Sequence, residues 1–276
     1  MKIAVLGLGM MGALWARQLA ALGHEVRGWN RSPKGLLGFT PDVREAVWDA
    51  EATFLVLSDA AAVEAVLKQI VPVLGGEQLV IQSSTVAPKS NVAFASWVEK
   101  SGADFLEAPF AGSKLVHGRL QTVYYLGGEK DVVEKARPLL ETISSALIHV
   151  GPLGSASAIK LAMNINMAGV AQALCESLAF SRAAGVDDGI FFEALSCNSS
   201  HSKVADGKGP KLHAYDYSPQ FSLRNMDKDL RLALETAAGL SLSLEQTAQL
   251  KQTYSRGMAA GWEADDFIGL IRAIKA

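Results

Sequence analysis

The sequence has little cysteine, almost no net charge and no long apolar run. Cys175 and Cys197 are its only cysteines among 276 residues, and neither sits in a C-x-x-C or metal-ligand spacing. A disulfide scaffold is therefore excluded. The formal net charge of -2 supplies no broad basic field for nucleic acid or an anionic membrane. No apolar run reaches the roughly 20 residues of a membrane span. Any anion that the protein binds must be held by local donors.

The histidines and the first residues of the chain also lack recognisable signals. No two histidines stand four residues apart, so we expect no zinc site and no other metal. The run Ile3–Leu6 breaks at glycine and is too short for the apolar core of a signal peptide, so the expected compartment is the cytoplasm. The five histidines are His24, His117, His149, His201 and His213.

Short aliphatic runs alternate with segments of helical period up to about residue 150. This alternation is typical of βαβ units around a parallel sheet. After Gly151-Pro152-Leu153-Gly154 no further β-branched run appears, and Ser155–Ala184 opens a half of helical composition. We predict an α/β fold with an N-terminal Rossmann-like, doubly wound sheet in a cofactor-binding domain, residues 1–152. An all-helical substrate and dimerisation domain, residues 153–276, follows and begins with a long interdomain helix.

Individual elements follow from the same periodicity. The predicted strands are Ile3–Leu6, Glu25–Trp29, Thr53–Leu57, Leu79–Gln82, Asp104–Glu107, Thr122–Leu126 and Ala146–Val150. The predicted helices are Leu14–Leu22, Ala60–Val71, Ser90–Lys100, Asp131–Ile143, Ser155–Ala184, Gly189–Ser196, Asn225–Ala238, Leu244–Ala259 and Asp265–Lys275.

A glycine motif follows the first predicted strand. Gly7-Leu8-Gly9-Met10-Met11-Gly12 is a G-x-G-x-x-G that opens the first helix of a βαβ unit. Gly7 permits a tight turn, Gly9 lets the backbone approach a pyrophosphate, and Gly12 lets the helix lie against the strand. The motif predicts a dinucleotide at the helix N-terminus. The alternative is a glycine turn that merely joins strand to helix.

The end of the second predicted strand carries no carboxylate. NAD-selective sites place Asp or Glu there to bind the ribose 2′-hydroxyl, whereas this chain has Asn30, Arg31 and Ser32, with Lys34 close by. Arg31 can pair with a 2′-phosphate and stack on adenine. Asn30 and Ser32 offer neutral hydrogen bonds, and Lys34 adds charge. We therefore predict NADP(H) as the cofactor; the alternative for Arg31 is a solvated side chain in a surface loop.

Several further segments carry a resemblance that covers nearly the whole chain. The sequence resembles the β-hydroxyacid dehydrogenase superfamily, which implies a 6-phosphogluconate dehydrogenase-like C-terminal domain. Later segments resemble its glyoxylate/succinic semialdehyde reductase branch in particular. The superfamily segments are the glycine motif, Ser83–Pro88, Ala108–Ser113, and Lys160 with Asn164; the branch segments are Lys208–Pro210, Tyr217–Phe221 and Lys228–Ala233.

Lys160 and Asn164 stand four residues apart, so on a helix their side chains share one face. Taken alone, they could be a surface lysine beside an amide. The resemblance implies instead that Lys160 is the proton donor to a substrate carbonyl that receives hydride from a nicotinamide ring. Asn164 would bind the substrate or fix Lys160.

A small carboxylate substrate needs an anion pocket. Gly112 and Ser113 can supply backbone N–H groups and a hydroxyl, and Thr85 is a second donor near nicotinamide and substrate. The resemblance implies that Phe221 walls the pocket and Asp229 helps to orient it. Taken alone, these residues have simpler explanations: turn formation for Ser84 and Thr85, core packing for Phe221, and an exposed ion pair for Lys228 and Asp229. The resemblance also implies that Lys228 reaches the cofactor, and we predict further cofactor contacts for Leu57, Ser58 and Thr85.

The resemblance implies an NADPH-dependent reductase of short aldehyde or keto acids, of the glyoxylate or succinic semialdehyde type. Ala111 departs from it, because the family usually has serine there. The loss of that hydroxyl predicts weaker binding of the substrate carboxylate or a less polar substrate. The alternatives are a 3-hydroxyisobutyrate-type dehydrogenase, an imine reductase-like activity, and a non-catalytic NADP-binding module. Because Ser155–Ala184 offers more apolar surface than one small domain can cover, we expect a homodimer, with a tetramer as the alternative.

Overall fold

The structure is a computed structural model, and it describes residues 1–35, 38–112 and 122–274. The chain divides into two units, Met1–Lys160 and Leu161–Ala276. No helix in the described ranges is both long and apolar enough to cross a membrane.

The first unit alternates strands and helices. Its strands are β1 (Lys2–Leu6), β2 (Glu25–Trp29), β3 (Ala52–Leu55), β4 (Leu79–Gln82), β5 (Asp104–Glu107), β6 (Phe110–Ala111), β7 (Val123–Gly127) and β8 (Ala146–Gly151). Its helices are α1 (Met10–Ala21), α2 (Val43–Val47), α3 (Ala60–Ile70), α4 (Pro88–Glu99) and α5 (Lys130–Glu141), with a 3₁₀ turn at Val71–Val73.

One sheet organises the first unit. The strand order is β2-β1-β3-β4-β5-β7-β6, and β8 pairs with β7. The strands from β2 to β5 run parallel, whereas β7 is antiparallel to β5, with Glu107 opposite Gly127. Because the parallel strands share a direction, their carboxyl ends form one edge, where ligands bind in such sheets.

Helices cover both faces of this sheet. Side chains alternate along a strand, so Ile3 and Val5 pack with Trp15 of α1 on one face. Ala4 and Leu6 pack on the other face with residues of α2, α3 and α4. The predicted doubly wound, Rossmann-like sheet is confirmed.

The second unit is helical. The 29-residue helix α6 (Ser155–Ala183) begins in the first unit and continues into the second. It is followed by α7 (Asp188–Ser196), α8 (Lys203–His213), α9 (Leu223–Gly239), α10 (Glu245–Ala259) and a 3₁₀ helix, Phe267–Ala273. The core of this unit includes Leu178, Met226, Tyr254 and Phe267.

A few elements differ from the periodicity-based prediction. Helix α8 was not predicted because its sequence, KVADGKGPKLH, contains two glycines and a proline, which disfavour helix. Burial of Leu212 and the ion pairs of Lys208 with Asp266 and of Lys211 with Asp216 stabilise it nonetheless. The predicted helix Asp265–Lys275 is a 3₁₀ helix over Phe267–Ala273. The short elements α2 and β6 were also not predicted.

Candidate functional site

The glycine motif forms a tight contact between β1, α1 and the end of β3. Gly7 has φ +102°, and a Cβ on it would lie 2.3 Å from the carbonyl oxygen of Val56. A Cβ on Gly12 would lie 1.9 Å from the carbonyl oxygen of Gly7. For Gly9, by contrast, no heavy atom of the described residues lies within 4 Å of a built Cβ. Two glycines therefore allow close backbone packing, and the middle one faces open space.

The amino end of α1 has the donors that such a ligand needs. Gly9 is the N-cap, and no side-chain cap is observed there. The first N–H groups of a helix lack intrahelical acceptors and favour an anion. The predicted contact residues differ in exposure: Met10 is exposed, Met11 is partly buried and Leu8 is buried. The backbone N–H of Leu8 donates to Asn30 Oδ1 at 3.1 Å, so this N–H is already used.

Asn30 shapes the two loops between which it lies. Besides accepting from Leu8, its Nδ2 donates to the carbonyl oxygen of Ser32 at 2.9 Å. The end of β2 stays beside the glycine motif because the Gly7 N–H donates to the carbonyl oxygen of Trp29 at 2.8 Å. Asn30 thus connects the two loops through backbone atoms, and its predicted contact with the cofactor stays a prediction.

Two cations follow Asn30 on the surface. Arg31 and Lys34 are exposed, and neither forms an ion pair with any residue that the structure describes. Both lie in the loop that Asn30 orders. The structure therefore brings two cations without a described ion-pair partner and the glycine motif to the same edge of the sheet.

Leu57 and Ser58 follow β3 at this edge. The side chain of Leu57 comes within 2.9 Å of a Cβ built on Gly7, so the two residues are neighbours. The N–H of Leu57 donates to Ser84 Oγ at 2.8 Å. Ser58 is exposed, and its Oγ donates to Asp59 Oδ2 at 2.8 Å.

Lys160 lies in the sixth position of α6 and is buried. In the same first unit, Thr85 is partly exposed and directly follows the buried Ser84. Gly112 has φ +130°, a conformation that other residues rarely adopt. Ala111 lies in β6 opposite Val123. Ser113 lies outside the described residues.

Asn164 is held by a carboxylate in the second unit. Its Nδ2 donates to Asp229 Oδ2 at 2.6 Å, and both residues are buried. Lys228 Nζ lies 2.9 Å from Asp229 Oδ1. The hydrogen bond from Asn164 and the ion pair with Lys228 together hold the Asp229 carboxylate, which orients the Asn164 amide.

The segment around Phe221 is anchored by a buried ion pair. Lys208 Nζ lies 2.8 Å from both carboxylate oxygens of Asp266. Asp266 Oδ2 also accepts the N–H groups of Gln220, at 2.8 Å, and Phe221, at 3.3 Å. Burial lowers the pKa of Lys208 although Asp266 acts in the opposite direction. The ion pair thus fixes the backbone that carries Phe221.

Sequence reasoning missed one cluster and the role of Lys208. Gln82, Asn91, Glu107 and Ser157 are buried and hydrogen-bonded to one another in the first unit. A signal was present, since Asn91 stands on the stripe of α4 that buries Phe94, Ala95 and Val98. No group of three or more His, Cys, Asp or Glu side chains suited to a metal occurs within the described ranges.

Two family models match the chain, one over each of its parts. The family model described as the NAD binding domain of 6-phosphogluconate dehydrogenase matches residues 2–151. The model described as NAD-binding of NADP-dependent 3-hydroxyisobutyrate dehydrogenase matches residues 154–274.

Three proteins that are similar to this chain illustrate the range of activities named among its relatives. Glyoxylate/succinic semialdehyde reductase 2, chloroplastic, of Arabidopsis thaliana is 29% identical over 100% of this chain and 80% of its own length. 2-Hydroxy-3-oxopropionate reductase of Escherichia coli K12 is 27% identical over 100% of this chain and 97% of its own. The structure of Mycobacterium tuberculosis 3-hydroxyisobutyrate dehydrogenase has a TM-score of 0.90 at 24% identity and covers 99% of both chains.

The fold, the glycine motif and these matches define an oxidoreductase that uses a nicotinamide cofactor. The chain belongs to the β-hydroxyacid dehydrogenase family.

Proposed function

We propose that the protein is an NADPH-dependent reductase of short aldehyde or keto acids, of the glyoxylate or succinic semialdehyde type. The observation that carries the proposal is Lys160, an ammonium buried near the start of α6 in a chain whose first unit has a dinucleotide cradle. The activity that names the Arabidopsis relative supports the substrate class. The predicted division of labour, with residues 1–152 holding the cofactor and 153–276 serving substrate and dimerisation, is part of the proposal.

Lys160 is the proposed acid. A bound nicotinamide cofactor would supply hydride to the carbonyl carbon of the substrate. As negative charge develops on the carbonyl oxygen, the Lys160 ammonium stabilises it and donates a proton from Nζ. A buried cation is effective in this role because fewer waters screen its charge. The enzyme thereby needs no metal for the polarisation of the carbonyl.

The remaining predicted site residues have supporting roles in this proposal. Asn164, whose amide is oriented by Asp229, binds the substrate or restrains Lys160. Gly112, Ser113 and Thr85 supply donors for the substrate carboxylate, and Phe221 supplies an apolar wall. Ala111 removes a hydroxyl that the family usually has, so we expect weaker binding of the carboxylate or a less polar substrate.

The preference for NADPH rests on the exposed pair Arg31 and Lys34. Neither is neutralised by a described carboxylate, and a 2′-phosphate can pair with both. The glycine motif, with Leu57 and Ser58 beside it, would hold the pyrophosphate side of the cofactor, and Thr85 and Lys228 are assigned to further cofactor contacts.

A second candidate is the reverse reaction type, oxidation of a 3-hydroxyacid such as 3-hydroxyisobutyrate. The description of the model that matches residues 154–274 favours it. An imine reductase-like activity and a non-catalytic NADP-binding module complete the alternatives.

A kinetic panel distinguishes these candidates. The purified protein is assayed with glyoxylate, succinic semialdehyde, a cyclic imine and 3-hydroxyisobutyrate, each with NADP(H) and NAD(H). The proposal predicts the highest kcat/KM for an aldehyde acid with NADPH. Higher efficiency with 3-hydroxyisobutyrate and NAD would refute it, and binding of NADPH without turnover of any substrate would favour the non-catalytic module.

Two expectations about the setting of the enzyme remain predictions. We expect a homodimer, because of the apolar composition of α6, and light scattering that gives a monomer mass would contradict it. We expect a cytoplasmic location, which imaging of the tagged full-length protein would test.

A further inference from the structure

A buried carboxylate caps the amino end of α6. Glu107, at the end of β5, is fully buried. Its Oε2 accepts the N–H of Gly154 and its Oε1 accepts the N–H of Ser157, both at 2.6 Å. Such N–H groups have no intrahelical acceptor. A carboxylate from a distant strand therefore takes the place of an N-cap side chain, and its charge interacts favourably with the helix dipole.

The carboxylate is held in turn by a side-chain amide. Asn91 Nδ2 donates to Glu107 Oε1 and to Ser157 Oγ, each at 2.8 Å. Asn91 Oδ1 accepts from Gln82 Nε2, also at 2.8 Å. Both N–H groups of the Asn91 amide have acceptors, so the orientation of the amide is fixed. Three donors converge on Glu107, and only a group that accepts on both oxygens satisfies them.

The same hydrogen bonds continue to the edge of the sheet where the cofactor is expected. Gln82 Oε1 accepts the N–H of Ser84 at 2.7 Å, and Ser84 Oγ accepts the N–H of Leu57 at 2.8 Å. A continuous chain of hydrogen bonds therefore connects Leu57, beside the glycine motif, with the first turn of α6. Every member lies in the first unit.

The absence of a side chain at Gly127 leaves the space that the Glu107 carboxylate occupies. Gly127 stands opposite Glu107 in β7, and a Cβ on Gly127 would lie 2.5 Å from Glu107 Oε2. Any other residue at position 127 would displace the carboxylate. Lys160 follows Ser157 by three residues, so about 4.5 Å of helix separates the anchored turn from the lysine.

We propose that Glu107 is a positioning residue for Lys160. It fixes the first turn of α6 through Gly154 and Ser157, and thereby keeps the lysine where it donates its proton. This inference rests on the proposed role of Lys160 as the acid. Glu107 itself transfers no proton and contacts no substrate in this arrangement.

A double-mutant cycle tests the inference. Glu107→Gln keeps the shape of the side chain but replaces one accepting oxygen with an NH2 group that faces N–H donors. We expect kcat for NADPH-dependent glyoxylate reduction to fall roughly 10- to 100-fold in the Lys160 background, with the NADPH dissociation constant changed less than about threefold. In the Lys160→Ala background the same substitution should lower the residual kcat no further. Glu99→Gln, at the exposed end of α4, is the matched control and should behave like the parent.

The outcomes separate this inference from the proposed function. If Glu107→Gln lowers kcat by the same factor in both backgrounds, its effect does not pass through Lys160 and the inference is wrong. If Lys160→Ala alone keeps normal turnover, Lys160 is not the acid and this inference fails, whereas the proposed reductase activity fails only if the parent protein reduces no aldehyde or keto acid with NADPH.

A milder variant keeps the test valid if Glu107→Gln does not fold. Ser157→Ala removes only the Oγ acceptor of Asn91 and leaves both N–H bonds to Glu107. We expect a roughly threefold loss of kcat that is absent in the Lys160→Ala background. No loss, or an equal loss in both backgrounds, would overturn the inference.

Discussion

Two substitutions in the glycine motif should differ in their effect on stability and have the same effect on cofactor binding. In Gly12→Ala the new Cβ would lie 1.9 Å from the carbonyl oxygen of Gly7. A Cβ and a carbonyl oxygen cannot be moved by rotating a side chain. Helix α1 must therefore move by roughly 1.5 Å to bring the two atoms to ordinary van der Waals contact. In Gly9→Ala the new Cβ meets no described atom within 4 Å, and φ is -70°, which alanine adopts without strain.

The magnitudes follow from these contacts. Within a helix, alanine is favoured over glycine by about 1 kcal/mol, so propensity alone would make Gly12→Ala more stable. Overpacking costs typically 1–3 kcal/mol or more. We expect the upper part of that range, because the contact is relieved only by a shift of the backbone. The net prediction for Gly12→Ala is a loss of about 1–2 kcal/mol in the free energy of unfolding. Gly9→Ala should stay within about 1 kcal/mol of the parent.

Urea unfolding and NADPH binding, followed by fluorescence, measure both effects. We expect both variants to bind NADPH at least about tenfold more weakly, Gly12→Ala because the loop is displaced and Gly9→Ala because a methyl group fills the space for the pyrophosphate. If Gly9→Ala binds NADPH normally, the open space at Gly9 is not the phosphate site. If Gly12→Ala is as stable as the parent, the contact with Gly7 is not as close as described.

Three further predictions concern single charges. Arg31→Ala should lower kcat/KM with NADPH roughly 10- to 100-fold and leave that with NADH nearly unchanged, as steady-state assays would show; equal losses would contradict the 2′-phosphate assignment. Asp266→Asn leaves Lys208 as a buried, incompletely paired cation, so unfolding should cost about 3–5 kcal/mol less, and an unchanged urea midpoint would disprove this. The hydrogen bond from Arg182 lowers the pKa of Asp188, so its contribution to stability is present above the usual aspartate pKa and is lost as pH falls through the lowered value. Urea midpoints between pH 2 and 6 should therefore depend less on pH in Asp188→Asn.

The local part of the fold and of the cofactor site could be predicted from the sequence. The short aliphatic runs that alternate with helical segments predicted the parallel strands, because a strand buried on both faces needs such a run. The separate roles of Gly7 and Gly12 could be anticipated, since the tight turn and the close approach of helix and strand involve neighbours within one βαβ unit. The composition also predicted α6. The observed helix has 29 residues and ends one residue before the predicted one.

Long-range hydrogen bonds could not be predicted in the same way. Asn91 and Ser157 are 66 residues apart, and only the order of strands and the return of the chain at α6 bring them together. The same holds for Lys208 and Asp266, which are 58 apart. Asp229 and Lys228 were considered as an exposed pair; the ion pair exists, but Asp229 is buried and also accepts from Asn164. Periodicity indicates that a polar residue is buried, but not which partner satisfies it.

The role of Lys160 is the central claim of this account, and one substitution tests it most directly. The measurement is kcat for NADPH oxidation with glyoxylate in Lys160→Ala and in the parent, together with the NADPH dissociation constant of each. We predict that kcat falls roughly 10²–10⁴-fold, the usual contribution of a positioned acid, while the dissociation constant stays the same. Turnover close to that of the parent, with NADPH bound equally well, would contradict the assignment of Lys160 as the proton donor.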